Sequence, residues 1–501
     1  MPPHSVIFGH LRLCAQIFHS LPHDAHSYYL ANEIRSLHPE LGPTFYLDIW
    51  PFGPPVLIVA DKDMIRQFTQ DGYLPKHEGI LSFLQPLTAG LDLVTVEGEE
   101  WKFWRQFFNP AFSAANITAK TQVVMQEVKQ FRDILAQHAR QGEIFQLEQH
   151  TIDVTMDVIG HFVLGGSIGN QSERKAIRTA LRDQLPLTSF GIDANPLKHL
   201  HPLNPFRRMR NARKMRAWLR PYVDQGLSLS GQNPSDRTIL DQACGAFSAD
   251  VKTADSDPAR DEAFRKMLFN QLRVMLFSGH DTTSSTLCYV YHTLWQHPEA
   301  LEQVRAEHDA VFGTDPADAE NQILATPSLL ERLPYTQAVI QETLRLFPVV
   351  VANRKGLPDF DLADQRRRLF PTEGCLVMSI HHELHQNPEY WPQPDAFLPE
   401  RWLVDKSHPL SPLKDAWRPF EAGWRGCIGQ QLAMKELKMI LAMTVREFDV
   451  QSGYAEWDRK AGTRGIKSVR GERAYQAYIG TAHPCDGYPC RVRFARRRGV
   501  S

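Results

Sequence analysis

The sequence lacks the features that would divide its 501 residues into separate modules. It has no internal repeat, no Gly/Ser-rich linker and no block of like charges that marks a boundary, although a chain of this length commonly forms about three domains. We therefore predict a single domain over residues 1–501. With 43% hydrophobic and 23% charged residues, the composition is that of a globular protein with a large core.

The chain also lacks an excess of either charge. Its 56 Lys and Arg residues nearly balance its 57 Asp and Glu residues, which gives a net charge of -1. Proteins that bind nucleic acid carry a basic footprint, so we predict no nucleic acid partner. The basic segment 207–220 is a local exception, and it predicts either a solvated helix face or a membrane-surface contact.

Paired cysteines and long apolar runs are absent as well. The seven cysteines are odd in number and widely spaced, and no signal peptide is evident, which favours a reducing compartment. The best apolar stretch near the N-terminus, Ser5 to Phe18, is short and interrupted by His10 and Arg12. The chain as written is therefore not expected to cross a bilayer.

The dominant positive signal is helical periodicity. Apolar residues recur at spacings of three and four over about residues 115–346, and the longest run extends from near Asp261 to Pro298. Further helices are predicted from Pro334 to before Pro348 and from about Cys427 to Phe448. Short β-type runs occur at 44–47, 56–59, 475–479 and 490–494.

These patterns predict a mainly α fold with a small β lobe, of the α+β class. The β-rich lobe is expected over about residues 1–75. The mainly helical body, with β segments at its C-terminal end, is expected over about residues 76–501.

A lone cysteine lies between glycines in the segment Phe420 to Gly429, FEAGWRGCIG, where a helix is predicted to begin. The unpaired N–H groups of a helix N-terminus lower the pKa of a thiol and stabilise its thiolate. Glycines permit tight turns and the close approach of a flat ring, Arg425 would neutralise a carboxylate of such a cofactor, and Phe420 would shield the sulfur. The alternative is a Gly-rich helix cap around an inert buried cysteine.

The longest predicted helix contains a segment that helix propensity does not explain, Ser278 to Thr283, SGHDTT. An acid beside an alcohol after a glycine suits a helix that opens a small groove for a diatomic ligand and passes protons to it. The alternative is a kink made by Ser and Thr side chains that bond back to helix carbonyls.

Both segments resemble elements of the cytochromes P450. The pattern Phe-x-x-Gly-x-Arg-x-Cys-x-Gly of the family's cysteine-ligand loop is complete at Phe420, Gly423, Arg425, Cys427 and Gly429. The SGHDTT segment resembles the family's Ala/Gly-Gly-x-Asp/Glu-Thr-Thr element and departs from it only at Ser278. The resemblance implies that Cys427 is the proximal ligand of haem b iron and that Gly279 lies beside the cofactor. It also implies that Thr282 holds the oxygen ligand and that Asp281 helps to supply protons.

Several weaker elements follow the same family order. Glu342 and Arg345, with the later Arg401, would form a buried charge network that holds the loop before the cysteine. Glu-x-x-Arg occurs four times in the chain, so only position selects Glu342. The residues expected to bind the haem propionates are Trp101, Arg105, Arg354 and Arg425.

The resemblance further implies a triangular P450-type prism with the haem between the long distal helix and the Cys427 loop. The substrate is expected to contact Phe83, Phe277, Val350 and Val351. The reaction would insert one oxygen atom from O2 into a lipophilic small molecule, as in fungal microsomal-type members of secondary metabolism. No flavin or nicotinamide motif is evident, so NADPH electrons would come from a separate NADPH–cytochrome P450 reductase, with cytochrome b5 as a further donor.

Pro2-Pro3-His4 resembles the hinge that follows the membrane anchor of such relatives. The expected location is therefore the cytoplasmic face of the endoplasmic reticulum membrane, with the anchor either removed or absent. Two rival functions are a haem-thiolate isomerase, dehydratase or peroxide-using enzyme, and a haem-binding sensor or transport protein. His381, His382 and His385 match no common zinc spacing, and no second metal site is predicted.

Overall fold

The computed structural model describes residues 1–88, 90–173, 175–187, 201–229, 238–251, 258–462 and 465–496. The helices are α1 (Leu11–Ser20), α2 (Tyr29–Leu37), α3 (Lys62–Arg66), α4 (Glu78–Thr88), α5 (Gly98–Phe108), α6 (Ala114–Ala119), α7 (Thr121–Gln141), α8 (Leu147–Val163), α9 (Ala176–Gln184), α10 (Asn204–Leu229), α11 (Ile239–Val251), α12 (Pro258–Gln296), α13 (Pro298–Phe312), α14 (Asp318–Ala325), α15 (Pro334–Leu346), α16 (His381–His385), α17 (Gln430–Thr444) and α18 (Tyr454–Ala461). The strands are β1 (Thr44–Leu47), β2 (Val56–Val59), β3 (Phe145–Gln146), β4 (Ala352–Lys355), β5 (Asp361–Ala363), β6 (Leu369–Pro371), β7 (Leu376–Ser379), β8 (Phe448–Ser452), β9 (Gln476–Ile479), β10 (Thr481–Pro484) and β11 (Pro489–Phe494). The mainly α fold with small sheets is therefore confirmed.

The largest sheet has the strand order β1-β2-β7-β4. Strands β1 and β2 pair in antiparallel fashion, β2 runs parallel to β7, and β4 returns antiparallel to β7. Half of this sheet thus comes from residues 352–379, far beyond the lobe predicted at about 1–75. The register pairs Arg354 of β4 with Val377 of β7, which fixes the backbone of this arginine within the sheet.

Helix α12 is the longest element, with 39 residues, and it ends before Pro298 as the sequence predicts. It packs along α8, and both helices belong to the main hydrophobic core. Helix α17 begins three residues later than predicted, at Gln430, because Gly429 is its N-cap. Cys427 therefore lies in the loop before the helix. None of the described helices combines the length and the apolar character that crossing a bilayer requires.

Candidate active site

A cavity of about 400 Å³ lies among α12, the loop before α17 and the β4 and β10 strands. This volume falls within the range of small-molecule sites, roughly 300–1,000 Å³. The four residues expected to contact the substrate, Phe83, Phe277, Val350 and Val351, all line it. Cys427 and Thr282 line the same cavity, so the structure brings together the two segments that the sequence singled out.

The side chain of Cys427 is exposed, and the surface that it exposes belongs to the wall of this cavity. Its backbone N–H donates to the Phe420 carbonyl over 2.9 Å, and Phe420 also lines the cavity. Gly423 adopts φ +79°, and a Cβ there would lie 2.2 Å from the Thr69 carbonyl oxygen. Glycine at 423 is thus required by the turn and by packing against residue 69, rather than by the approach of a flat ring.

The expected lowering of the Cys427 pKa is wrong for this structure. Burial among the residues that line the cavity raises the pKa of the Cys427 thiol above its ordinary value. The N–H groups of Gly429 and Gln430, together with Arg105, act in the predicted opposite direction but are outweighed. A metal ion bound to the sulfur would supply the missing positive charge, since coordinated thiols are deprotonated.

Positive side chains gather along one part of the cavity wall, where Lys76, Arg105 and Arg425 join Trp101. The Arg425 guanidinium stacks over the Trp101 ring at 4.4 Å and donates to the Val96 carbonyl over 2.8 Å. Arg105 donates to the Gly426 carbonyl over 2.9 Å, directly beside the cysteine. Sequence reasoning found all of these except Lys76, which belongs to no spaced motif.

These cations fit a ligand with two carboxylates. Arg354 lies behind them, since its backbone is bridged to that of Lys76. Burial lowers the pKa values of Lys76, Arg105 and Arg354, and Nε of buried Arg354 has no hydrogen-bond partner among the residues that the structure describes. An anionic group in the cavity would offset the cost of burying these charges. With the Cys427 sulfur and the apolar walls, the residues present fit a haem.

The Cys427 loop is supported from behind by residues that sequence reasoning missed. Glu421 accepts a hydrogen bond from Arg418 over 2.8 Å and pairs with His381 at 2.8 Å. Burial would raise the pKa of Glu421, but His381 and Arg418 hold it well below its usual value. His385 accepts the Arg418 backbone N–H over 3.0 Å. His381 and His385 thus hold the cysteine loop. In the sequence, the only signal for this role was that these two histidines are four residues apart and so share one face of a helix.

Glu342, Arg345 and Arg401 lie together with no exposed side-chain surface. The carboxylate of Glu342 accepts Nε and Nη2 of Arg345 over 3.0 and 2.8 Å and Nε of Arg401 over 3.1 Å. It also accepts the indole N–H of Trp402 and the backbone N–H of Leu398, each over 3.1 Å. Five donors on one carboxylate make this a densely satisfied buried ion cluster.

The sequence predicted that the distal helix opens a small groove at residues 278–283. The structure shows no break there, because α12 runs continuously through these residues. Gly279 faces α8, where a Cβ would lie 2.4 Å from Cγ1 of Ile159. The Thr282 hydroxyl donates back to the Ser278 carbonyl over 3.0 Å, which is the alternative raised by the sequence. The hydroxyl nevertheless belongs to a residue of the cavity wall.

Asp281 does not share the surroundings of Thr282, because neighbours in a helix point about 100° apart. Its carboxylate is fully buried and is held by Arg182 and by Thr481 of β10 over 3.1 and 2.6 Å. Burial would raise the pKa of Asp281, but His483 and Arg182 hold it well below its usual value. The acid is therefore ionised and turned towards β10.

Gly279→Ala is expected to destabilise the protein by about 1–3 kcal/mol, because the new methyl group overlaps the Ile159 side chain. Thermal unfolding would measure this loss, and adding Ile159→Ala should recover part of it. Gly245→Ala, in α11 with open space around the site, is the control and should be neutral or slightly stabilising. Additive losses in the double variant would contradict the proposed contact.

Comparison with known proteins agrees with this geometry. The cytochrome P450 family model matches residues 15–476. The chain is 43% identical to cytochrome P450 monooxygenase polC of Polytolypa hystricis, covering 98% of this chain and 89% of that protein. It is 33% identical to cytochrome P450 monooxygenase acrF of Aspergillus aculeatus, covering 94% and 98%.

A solved structure shares the fold. The haem domain of cytochrome P450DA superposes with a TM-score of 0.74 at 20% identity, covering 100% of this chain and 98% of that one. The family match spans most of the sequence and includes both the distal helix and the cysteine loop. The chain therefore belongs to the cytochrome P450 family of haem-dependent monooxygenases.

Proposed function

We propose that this monooxygenase inserts one oxygen atom from O2 into a lipophilic small molecule of secondary metabolism, with Cys427 as the proximal haem ligand. The observation that carries the proposal is that Cys427, Thr282 and mainly apolar side chains line one and the same cavity. The similarity to polC and acrF supports the monooxygenase chemistry.

In this proposal each polar residue has one task. When bound, haem supplies the redox chemistry that activates O2. Cys427 binds its metal ion, and Phe420 excludes water from the sulfur. The residues that would hold the two propionates are Trp101, Arg105, Arg354, Arg425 and Lys76. Thr282 presents a hydroxyl to the cavity. The carboxylate of Asp281, the preceding residue of the helix, is ionised, so it would first accept a proton and then pass it on towards Thr282.

The substrate is expected to be mostly apolar and to contact Phe83, Phe277, Val350 and Val351. Aromatic and branched aliphatic walls favour a ligand that gains free energy by leaving water. Screening polyketide, terpenoid and alkaloid candidates for the spectral shift that follows displacement of iron-bound water would identify the class.

Electrons are proposed to come from NADPH through a separate reductase, with cytochrome b5 as a further donor. Association with the endoplasmic reticulum membrane, on its cytoplasmic face, is proposed from the surface next to the basic segment of α10. Exposed Leu203 and Phe206 precede that segment, and exposed Met209 lies within it. Apolar side chains beside Lys and Arg suit an anionic membrane surface.

Thr282→Ala tests the proposed chemistry. The variant should keep the haem spectrum but lose product on the order of 10²-fold, because its cavity loses the hydroxyl that positions protons. NADPH oxidation should continue and yield peroxide. The measurement is product, peroxide and O2 consumption per NADPH, with reductase and a compound found by the spectral screen. The control is Ser284→Ala, whose hydroxyl bonds back to the Asp281 carbonyl and does not line the cavity.

The same assay separates the rival functions. Product formed without NADPH and reductase would favour an isomerase, a dehydratase or a peroxide-using enzyme. Tight ligand binding without O2 consumption would favour a sensor or transport protein. Unchanged coupling of NADPH to product in Thr282→Ala would refute the role proposed for its hydroxyl.

A further inference from the structure

The Asp281 carboxylate is anchored to the strand that borders the cavity. Its Oδ2 atom accepts the Thr481 hydroxyl over 2.6 Å and lies 3.2 Å from Nε2 of His483, while Oδ1 accepts Arg182 over 3.1 Å. Asp281 and His483 have no exposed surface. Because residues two apart on a strand share a face, β10 presents Thr481 and His483 to the same carboxylate.

His483 also meets a second acid. Its Nδ1 atom lies 2.5 Å from Oε1 of Glu148, a residue of α8 that is only 5% exposed. The Nε2 atom also lies 3.0 Å from the Thr481 hydroxyl, which itself donates to Asp281. Both ring nitrogens therefore face acceptors, and only an imidazolium can donate from both. Glu148 and Asp281 are then balanced by His483 and Arg182. A neutral ring would leave one buried negative charge unmatched, which proteins rarely tolerate.

Two other histidines near this cluster cannot replace the imidazolium. Burial lowers the pKa of His280, which precedes Asp281 in α12, to about 4, and that of His26, before α2, to about 3. Both are neutral at pH 7. Burial would also lower the pKa of His483, but Asp281 and Glu148 raise it to about 9. Arg182 faces Asp281 from α9 and is partly exposed.

The cluster also connects the cavity with the outside of the protein. Thr481, the first residue of β10, and Gly480, which precedes it, line the cavity. Glu148 lies near the turn that follows β10, since a Cβ on Gly487 would be 3.5 Å from its Oε2 atom. The neighbouring Asp486 is exposed. The pair Glu148–His483 thus stands between Asp281 and a surface turn.

We propose that His483, braced by Glu148, is a positioning residue for Asp281, whose carboxylate it keeps ionised and anchored to β10. The hairpin of β9 and β10 then controls the orientation of the acid beside Thr282. A substrate that contacts Gly480 or Thr481 therefore affects the position of Asp281 through the hydrogen bond between Thr481 and Asp281. This inference rests on the role proposed above for Asp281 and Thr282.

The first test observes His483 directly. Protein labelled with 13C-histidine, in its reduced carbon monoxide-bound form, is titrated by NMR, and the His483 signal is the one absent from His483→Gln. We expect a midpoint near pH 9, which falls by about 1–3 pH units in Glu148→Gln and in Asp281→Asn. A His483 signal that titrates below pH 7 in the unmodified protein, or one that Glu148→Gln leaves unchanged, would overturn the proposal.

The second test asks whether His483 acts on Asp281 or only holds the fold. NADPH oxidation with reductase and no added substrate is measured from pH 6.5 to 9.5 in H2O and D2O. We expect the unmodified protein to show an inflection near pH 9 that His483→Gln and Glu148→Gln lose, with a changed isotope effect. His308→Gln is the control, because His308 is buried like His483 but is neutral, with its pKa lowered to about 3.

The outcomes separate this inference from the proposed function. If His483→Gln lowers the melting temperature but keeps the inflection and the isotope effect, His483 is structural only and the proposal is wrong. If Thr282→Ala and Asp281→Asn leave coupling unchanged, the proton-supply role fails, whereas the NMR titration still reports whether His483 and Asp281 are coupled.

Discussion

Cys427→Ser is expected to abolish the red-shifted absorption band of the reduced carbon monoxide complex and to reduce turnover to background. Cys427 is the sulfur that lines the cavity, and its loop places it before the first turn of α17. A serine hydroxyl has the same shape but does not provide the thiolate that favours O–O cleavage. The measurements are the difference spectrum, iron content and product formation with reductase.

The control for this variant is Cys14→Ala, since Cys14 is buried in α1 and does not line the cavity. It should keep the spectrum and the activity. A Cys427→Ser protein that retains the red-shifted band would refute the assignment of the metal ligand. Circular dichroism distinguishes loss of the metal ligand from unfolding of the protein. Cys427 contributes little packing to the core, so we expect the variant to stay folded.

The parts of the site that the sequence predicted are those carried by local spacing. Pro298 and Pro348 fixed the ends of two helices because proline acts on its immediate neighbours. The cysteine loop was found because its specified residues lie within ten consecutive positions. The family order of motifs selected Glu342 among four Glu-x-x-Arg sequences, and the structure shows why order was needed. Glu262 pairs with Arg216, and Glu456 pairs with Arg491, so the motif alone does not define a pair.

What the sequence did not predict depends on tertiary contacts. Lys76 contacts Arg354, and His381 contacts Glu421. The partners lie too far apart in the sequence for a spacing pattern to reveal these contacts. His483 and Glu148 are 335 residues apart. The pKa of Cys427 was predicted in the wrong direction because burial is set by the whole fold, whereas the helix terminus is a local feature.

Glu342→Gln is expected to destabilise the protein by about 3–5 kcal/mol. The substitution keeps the size of the side chain but removes the charge that balances Arg345 and Arg401, which have no exposed surface. Burial already lowers the pKa of Arg401, and Glu342 opposes that effect. Denaturant unfolding of the haem-loaded protein measures the loss, and a change below about 1 kcal/mol would contradict the buried network.

Glu302→Gln is a matched control, because Glu302 and Arg305 form the same Glu-x-x-Arg pair at 3.6 Å with the acid 38% exposed. Exposed pairs contribute little, so its cost should stay below about 1 kcal/mol. The sequence motif is identical in the two variants, but the control acid is partly exposed and its arginine also pairs with Asp449 at 2.6 Å. A similar loss in both would show that the motif rather than its burial determines the effect.

Glu342→Gln should also accelerate haem loss, because its helix holds the segment that leads to Cys427. The indole N–H of Trp417 donates to the Gln341 carbonyl over 3.1 Å, and Trp402, Trp417 and Phe420 pack in sequence with ring centroids 5.3 and 5.9 Å apart. Trp402 donates to Glu342, so the substitution weakens the hydrogen bond that positions its ring. The packed rings then pass the displacement to Phe420 and the cysteine loop. Transfer of haem to apomyoglobin measures the rate, and Glu302→Gln should leave it unchanged.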